Sequence, residues 1–421
     1  AAWQSIKATH ASKKFGRCLV TGERNVPLAA THPMIQGVLG AQTAGAAMVS
    51  FNATAFASFG HEQNFNAPTS EAAAFKYTTV LNHLLARGSR QSLPIGAATT
   101  VFWSEGEPEF EDDFGQIISG GAQDQAANEK LNAFLEAVRQ GRLPRESMNP
   151  DAGFFVLGLL PNAARIAVNF WHVSTVGEMF RRMVQHYNDI RTEREWLERS
   201  KHPDPEFPAP WQLLRETARE SKDIPPLLPG ALMRAILTGG PYPLALAQAI
   251  LRRIRADGTI NYLRCAALKG CLCRDAQFLQ QYTRPPMALD KQRLDTPYLL
   301  GRLFAALERI QEAAQGKSLN VTMKDRFFGA ASATPSGAFP RMIQLSTHHL
   351  KKVRGEHAGW AVNFEKLVGE ITDAVEDFPA YQNLQEQGLF ALGYYHQRNA
   401  LYRKNDADEP SPDQIEPTIN D

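Results

Sequence analysis

Four cysteines in 421 residues are too few for a disulfide framework. Cys18 stands alone. Cys265, Cys271 and Cys273 form a C-x5-C-x-C run with no histidine nearby, which is not a zinc-ligand spacing. They read as small buried residues or free thiols in a reducing cytoplasm. No apolar stretch approaches the ~20 residues needed to span a bilayer. The longest, Phe154 to Leu160, is interrupted by Gly158 and followed by Pro161. The first residues also lack the basic start, apolar middle and small-residue cleavage site of a secretory signal. The chain opens at Ala1 inside what reads as a helix (Trp3, Ile6, His10), as the remainder of a longer protein would. No Walker A sequence occurs, and Gly37-x2-Gly40-x4-Gly45 is not a dinucleotide fingerprint. The eleven histidines never fall into a metal-ligand spacing, and the adjacent His348 and His349 point to different faces. Carboxylates crowd only at 105–113 and in the C-terminal tail, where solvation accounts for them. These absences leave no catalytic centre, metal site or cofactor to expect.

What is present is charge sorted along the chain. The net charge of +1 hides a base-rich segment over 1–103, with eight Lys/Arg against three Asp/Glu. Residues 104–200 reverse this, with sixteen acids against ten bases, and 201–284 return to twelve bases against seven acids. Two basic regions separated by an acidic one suggest local contact with a polyanion. Ordinary surface charge is the alternative.

Hydrophobic periodicity predicts an α+β protein, mixed in its first half and helical at its C-terminal end. Short strands are expected at Arg17–Gly22, Gly45–Asn52 and Thr99–Trp103. A helix capped by Ser70 carries Ala74, Tyr77, Leu81 and Leu84, and Gly88 ends it. The runs Phe154–Leu160 and Arg165–Trp171, joined by Pro161-Asn162, read as a hairpin, after which Thr175 caps another helix. From Trp211 onward the pattern is helical. Amphipathic helices near 296–315, 339–354, 360–378 and 384–402 argue an antiparallel bundle. The expected domains are 1–110, an α/β nucleic-acid-contacting domain, and 111–200, an acidic linker with hairpin and helix. They are followed by a helical basic segment at 201–290, a helical bundle at 291–404 and an acidic disordered tail at 405–421.

Three segments carry candidate nucleic-acid contacts. The first combines Lys13, Lys14, Arg17 and Arg24 with the amides Gln42, Asn52, Gln63, Asn64 and Asn66. Lys and Arg neutralise phosphates, while Asn and Gln match a donor and an acceptor on a base edge. Equally, each amide could cap a turn. The second is Arg252, Arg253, Arg255, Arg264, Lys269 and Arg274 on two helices joined near Asp257-Gly258, either a helix-turn-helix reader or a ridge on a bundle. The third is Lys351, Lys352 and Arg354 on a helix whose other side offers Met342, Ile343, Leu350 and Val353. That face suits a protein lining a single strand, or simply a solvated one.

Several longer strings are more specific. Gly16-Arg17-Cys18-Leu19-Val20-Thr21-Gly22-Glu23, Gly40-Ala41-Gln42, Ser50-Phe51-Asn52 and Asn66-Ala67-Pro68 come first. Phe155-Val156-Leu157-Gly158-Leu159, Arg234-Ala235-Ile236-Leu237-Thr238-Gly239 and Tyr394-Tyr395-His396-Gln397-Arg398 follow in order. Together they resemble the large subunit of type I-C CRISPR surveillance complexes (Cascade) over nearly the whole chain. Members of that family carry a further N-terminal region before this point. The resemblance implies a DNA- and RNA-binding subunit near the 5′ end of a guide RNA complex. Its partners would be backbone and 5′-end subunits, a small subunit, target duplex DNA with its displaced strand, and a helicase-nuclease, with no membrane. It would help read the flanking motif and support the R-loop, while RNA–DNA pairing supplies sequence choice. The C-terminal bundle resembles the small subunit of related complexes. The competing reading is a stand-alone duplex-binding regulator built on the 241–274 helices.

Overall fold

The computed structural model describes residues 14–96, 98–119, 133–134, 136, 147–195, 204–316 and 322–403. Lys13, the expected helix near the first residues, most of 120–146 and the acidic tail lie outside them. The fold is α+β. The chain divides into two compact units, one of residues up to 186 with 209–214 and 222–240, the other of 187–208, 215–221 and 241 onward.

The first unit is organised by a four-stranded antiparallel sheet in the order β3 (Ser92–Ile95), β4 (Ala98–Ser104), β5 (Gly153–Asn162), β6 (Arg165–Thr175). β4 pairs with β5 from Thr99↔Leu159 to Ser104↔Phe154, so the strands of 92–175 form one sheet. The hairpin β5–β6 forms as its sequence predicts, with a bulge at Gly158/Leu159. Gly158 is required there, since a Cβ would sit 2.3 Å from the Phe170 ring.

Alternation along the strands gives the sheet two apolar faces. On one, Phe102 and Phe154 pack edge-on against Phe114, and Phe154 against Phe110. Phe110 and Phe114 belong to α2 (Pro108–Ser119), where the sequence suggested an acidic linker. The acids of 109–113 occupy the turns between Phe110, Phe114, Ile117 and Ile118, so the segment is amphipathic and its apolar stripe buries. Glu111 is the exception, buried and accepting from the Ser104 backbone N–H and hydroxyl at 2.7 Å each. On the other face, Val101, Leu157, Leu159 and Ile166 meet Leu81, Leu84 and Leu85 at and just beyond the end of α1 (Glu71–Leu84), together with Ile35, Val38 and Ala46. Ser70 caps α1 by accepting from Ala73 N–H. Thr175 likewise accepts from Glu178 N–H at the start of α3 (Val176–Ile190).

Two expected strands do not form as such. Within 17–22 only a tight turn occurs, with Gly22 N–H donating to Cys18 O, beside a two-residue ribbon of β1 (Phe15–Gly16) and β2 (Val26–Pro27). Over 45–52 the chain makes only isolated bridges, Ile35↔Ala46 and Ala47↔Arg165. Small residues there allow close packing but bring no side-chain surface to sustain a ladder.

The remaining elements are helices, beginning with the short α4 (Pro210–Arg215) and α5 (Leu228–Thr238). The second unit holds α6 (Leu244–Asp257), α7 (Tyr262–Cys273), α8 (Ala276–Gln281), α9 (Thr296–Gln315), α10 (Met323–Ala333), α11 (Pro335–Glu356), α12 (Ala358–Asp373) and α13 (Leu384–Tyr402). Its centre is the pair α9 and α13. Cβ atoms built on Gly301 and Gly393 would lie 2.1 Å from Phe390 O and 2.2 Å from Tyr298 O, so backbone touches backbone at both points. Phe304, Phe328, Phe390 and Tyr394 stack edge-on around that crossing. Gly388 of α13 faces Leu268 and Leu272 of α7, so α7 packs onto this pair. The stripe expected on α12 is only partly covered: Ala361 and Ile371 are buried, Phe364 is half-buried and Trp360 is 50% exposed.

Two outcomes follow from this packing. Gly393→Ala should lower the thermal midpoint of the full chain and cost about 1–3 kcal/mol by overpacking. The second concerns His396, which is fully buried with Nε2 2.9 Å from Thr192 Oγ1 and Nδ1 3.0 Å from Tyr298 Oη. Burial pulls its imidazole down to about 3. Below the ordinary histidine pKa the unfolded chain binds a proton that the fold excludes. Its contribution to stability is therefore diminished as pH falls from about 6.5 towards about 3, by about 1.4 kcal/mol per pH unit. Denaturant titrations across that range should show a shallower acid slope for His396→Gln than for the parent.

Candidate nucleic-acid interface

The three basic segments meet different fates. In the second, α7 is almost wholly buried, and three of its candidate cations are internal. Arg264, at the base of the α6–α7 turn, donates Nη1 and Nη2 to Asp257 at 2.6 and 2.8 Å, Nε to Glu216 at 2.8 Å and Nη1 to Thr259 O at 2.7 Å. Desolvation works to raise the Asp257 carboxyl, but the Arg264 hydrogen bonds, the Thr259 N–H and the charges of Arg264 and Arg253 together outweigh it and hold it at about 2. Lys269 donates to Asn188 O and Asp189 O, carbonyls of the last turn of α3, where a cation suits the helix dipole. Burial lowers its pKa. Arg274 donates Nε to the buried Asp189 at 2.7 Å and lies 4.4 Å over the Tyr242 ring, while Arg284 takes the other Asp189 oxygen.

The reading of Arg264, Lys269 and Arg274 as nucleic-acid contacts is therefore corrected: their charges are satisfied inside the fold. A helix-turn-helix must present its second helix to the major groove, and α7 is instead a core helix. On α6, Arg253 pairs with Asp257, Arg255 bonds to Gln387, and Arg252 is exposed. Arg264→Ala should destabilise the full chain by about 1–3 kcal/mol, because it removes a buried guanidinium that bonds to Asp257, Glu216 and Thr259 O, whereas Arg252→Ala should leave the denaturation midpoint unchanged.

In the third segment Lys351 and Lys352 are exposed on α11, and Arg354 pairs across to Glu365 on α12. The opposite side buries Met342 and Val353 against the bundle. Nearby, the Trp360 ring lies 4.7 Å from that of His357.

The first segment is the most developed surface. The β1–β2 ribbon and its flanks carry exposed Lys14, Arg17 and Arg24, and Cys18 beneath them is fully buried. Its Sγ accepts from Ser70 N–H at 3.2 Å and from Thr21 N–H at 3.5 Å, and Leu19 N–H donates to Pro68 O. These bonds tie the ribbon to the segment leading into α1. The intervening chain, 52–66, is braced by cations on rings: the Lys14 ammonium 4.4 Å over Phe65, and the Arg165 guanidinium 4.5 Å over Phe56. Arg165 also donates to Asn52 Oδ1 at 2.6 Å.

The amides divide by role. Asn64 is buried and donates to Val49 O. Asn66 is a turn clamp, accepting from Ser58 N–H at 2.9 Å and donating to His61 O and Gln63 O at 3.1 and 2.9 Å. Asn64 and Asn66 thus hold the loop in shape, and the reading of them as base contacts is corrected. Gln42 and Gln63 are exposed, and Asn52 is exposed beside Arg165. Sequence reasoning missed two residues. Arg165 reaches the site from β6, 113 positions beyond Asn52. Phe59 stands at the tip of the Ser58–His61 turn, 97% exposed with φ +50°, next to Gly60 at φ +72°. An aromatic between Ser and Gly in a polar stretch was the available signal.

Among the described residues no group of three or more His, Cys, Asp or Glu side chains is placed to hold a metal ion, and no helix is long and apolar enough to cross a membrane.

Residues 1–402 match the family described as CRISPR-associated protein (Cas_Csd1). No curated protein matches the chain. The chain belongs to the Cas_Csd1 family of CRISPR-associated proteins.

Proposed function

We propose that this CRISPR-associated chain is the DNA-contacting large subunit of a type I-C surveillance complex, a cytoplasmic binding and scaffolding protein and not an enzyme. It sits with guide RNA, backbone and 5′-end subunits and a small subunit. There it helps read the target-flanking motif, stabilises the R-loop and docks the helicase-nuclease. The observation that carries the reading is the basic ribbon of Lys14, Arg17 and Arg24 beside a loop that exposes Gln63 and, bonded to Arg165, Asn52, with Gln42 exposed just before it. Cations that neutralise phosphates give position, and exposed amides beside them give base-edge contacts. Lys351 and Lys352 extend the same chemistry to the second unit, where they suit a displaced or target strand. A scaffold without DNA contact has one observation in its favour. On β6, Val168, Trp171 and Val173 are each about half exposed, and Trp171 stacks on Phe155, as a subunit-facing patch would.

Two measurements separate these readings. Purified from its host with its partners, the chain should bring down RNA of uniform length. In that assembly, reversing Lys14, Arg17 and Arg24 to Glu should weaken target binding and flatten the log–log salt dependence by about 0.9 for each phosphate no longer neutralised. An unchanged slope would overturn DNA contact by the ribbon and favour the scaffold.

A further inference from the structure

In the second unit a cavity of about 380 Å³ lies among α6, α7, α8 and α13. Leu244, Ala247, Leu268, Leu272 and Leu384 supply its apolar walls. It opens to solvent, since Leu244 at the start of α6 is 56% exposed and Gln277 on α8 is exposed. The two charged residues of its lining already have partners inside the fold. Arg274 Nε donates to Asp189 at 2.7 Å, and Asp275 accepts from Phe278 N–H at 2.9 Å and Gln385 Nε2 at 3.1 Å. An ionic group entering the cavity would lose its water without gaining a counter-ion. Gln277 offers an amide at the mouth to an uncharged polar group.

The glycine on the cavity wall is the informative residue. Among the described residues four helix glycines of this unit are buried: Gly270, Gly301, Gly388 and Gly393. Three are dictated by close approach. A Cβ on Gly270 would lie 2.4 Å from the Tyr242 ring, on Gly301 2.1 Å from Phe390 O, and on Gly393 2.2 Å from Tyr298 O. At Gly388 a Cβ would meet only the methyl groups of Leu268 and Leu272, at 3.6 to 3.9 Å, which is ordinary contact. Alanine would fit there and would favour the helix, because glycine in a helix interior is the costlier residue. Packing within the fold does not require this glycine; what it keeps open is the cavity. Size points to a free ligand. A dry apolar cavity of about 150 Å³ accommodates benzene, so one aromatic side chain from a partner would leave about half of this space empty.

We infer that this cavity binds a small, uncharged, apolar molecule of about two to three fused rings, carrying any polar substituent at the Gln277 mouth. The inference is independent of DNA contact and adds a ligand site to the second unit.

The test uses the full chain and two fluorescent dyes with a common skeleton, uncharged phenylnaphthylamine and its charged analogue anilinonaphthalene sulfonate. The uncharged dye should bind saturably and brighten, and the sulfonate should bind about tenfold more weakly or worse. Bound dye should slow alkylation by N-ethylmaleimide at Cys271, the half-buried thiol that lines the cavity, as read by mass spectrometry. Gly388→Ala should weaken dye binding while raising the thermal midpoint, and Gly388→Met should abolish binding by filling the space. If the methionine variant does not fold, the alanine variant decides alone. Absence of saturable binding would overturn the inference, as would binding that the variants leave unchanged with Cys271 unprotected. Tighter binding of the sulfonate would overturn the uncharged class. Dye that binds the chain alone but is excluded when the chain is purified with its partners would overturn a free ligand in favour of a partner side chain. None of these outcomes bears on the ribbon of the first unit, so the proposed function stands or falls separately.

Discussion

The pairing of β4 with β5 is the constraint on which the first unit depends. It joins Thr99 to Leu159 and Ser104 to Phe154, closing a loop of some fifty residues, and it offers two apolar faces at once. One face buries the phenylalanines of α2. The other supplies Val101, Leu157 and Leu159 as the floor on which α1 and the segment 35–46 rest. The basic ribbon has almost no core of its own. It is held through Cys18, Leu19 and Leu28 onto the chain entering α1, and α1 is held by the sheet. The candidate interface is thus a set of loops on a rigid support, an arrangement common where binding residues must be placed without being buried.

In the second unit a different constraint rules. Gly301 and Gly393 let α9 and α13 approach until their backbones touch, which closes the aromatic cluster around Phe304 and Tyr394. Helices packed so tightly enclose polar groups, and the large ones find partners. Arg302 is 1% exposed and donates to Gln397, Lys291 O and Glu370. Tyr394 donates to Glu308 at 2.5 Å. Arg264 and Arg274 follow the same rule with Asp257, Glu216 and Asp189. A buried guanidinium bonded to several acceptors specifies geometry more than it adds stability, and its removal is costly because its partners remain.

The two units therefore use cations in opposite ways. In the ribbon and loop of the first, Lys14 and Arg165 lean on rings and keep their charge near water. In α7 of the second, the charge serves the fold. The strain is distributed in the same spirit: among the described residues the left-handed non-glycine residues, Asn25, Phe59, Gln63 and Ala163, lie in the first unit, and two of them fall in the 52–66 loop. A left-handed β-carbon costs on the order of 1–2 kcal/mol per residue, which Asn66 and its three hydrogen bonds help to hold.

Local pattern alone determined much of this protein. The Ser70 cap, the β5–β6 hairpin, the Thr175 cap and the helices at 296–315 and 384–402 were legible because periodicity and capping act over a few neighbouring residues. So was membership of a CRISPR-associated family, through long ordered strings. Tertiary structure alone decided which charges face water. Arg264 and Lys14 look alike in a sequence. Asp257 and Glu216 lie 7 and 48 positions from the first, and the ring that steadies the second belongs to the distant Phe65. The segment from 111 onward read as an acidic linker because its charges are conspicuous, yet Phe110 and Phe114 make its start part of a helix once a sheet is there to receive them. Burial is a property of what packs above a residue, and that partner is chosen by the fold, not by the neighbours in the chain.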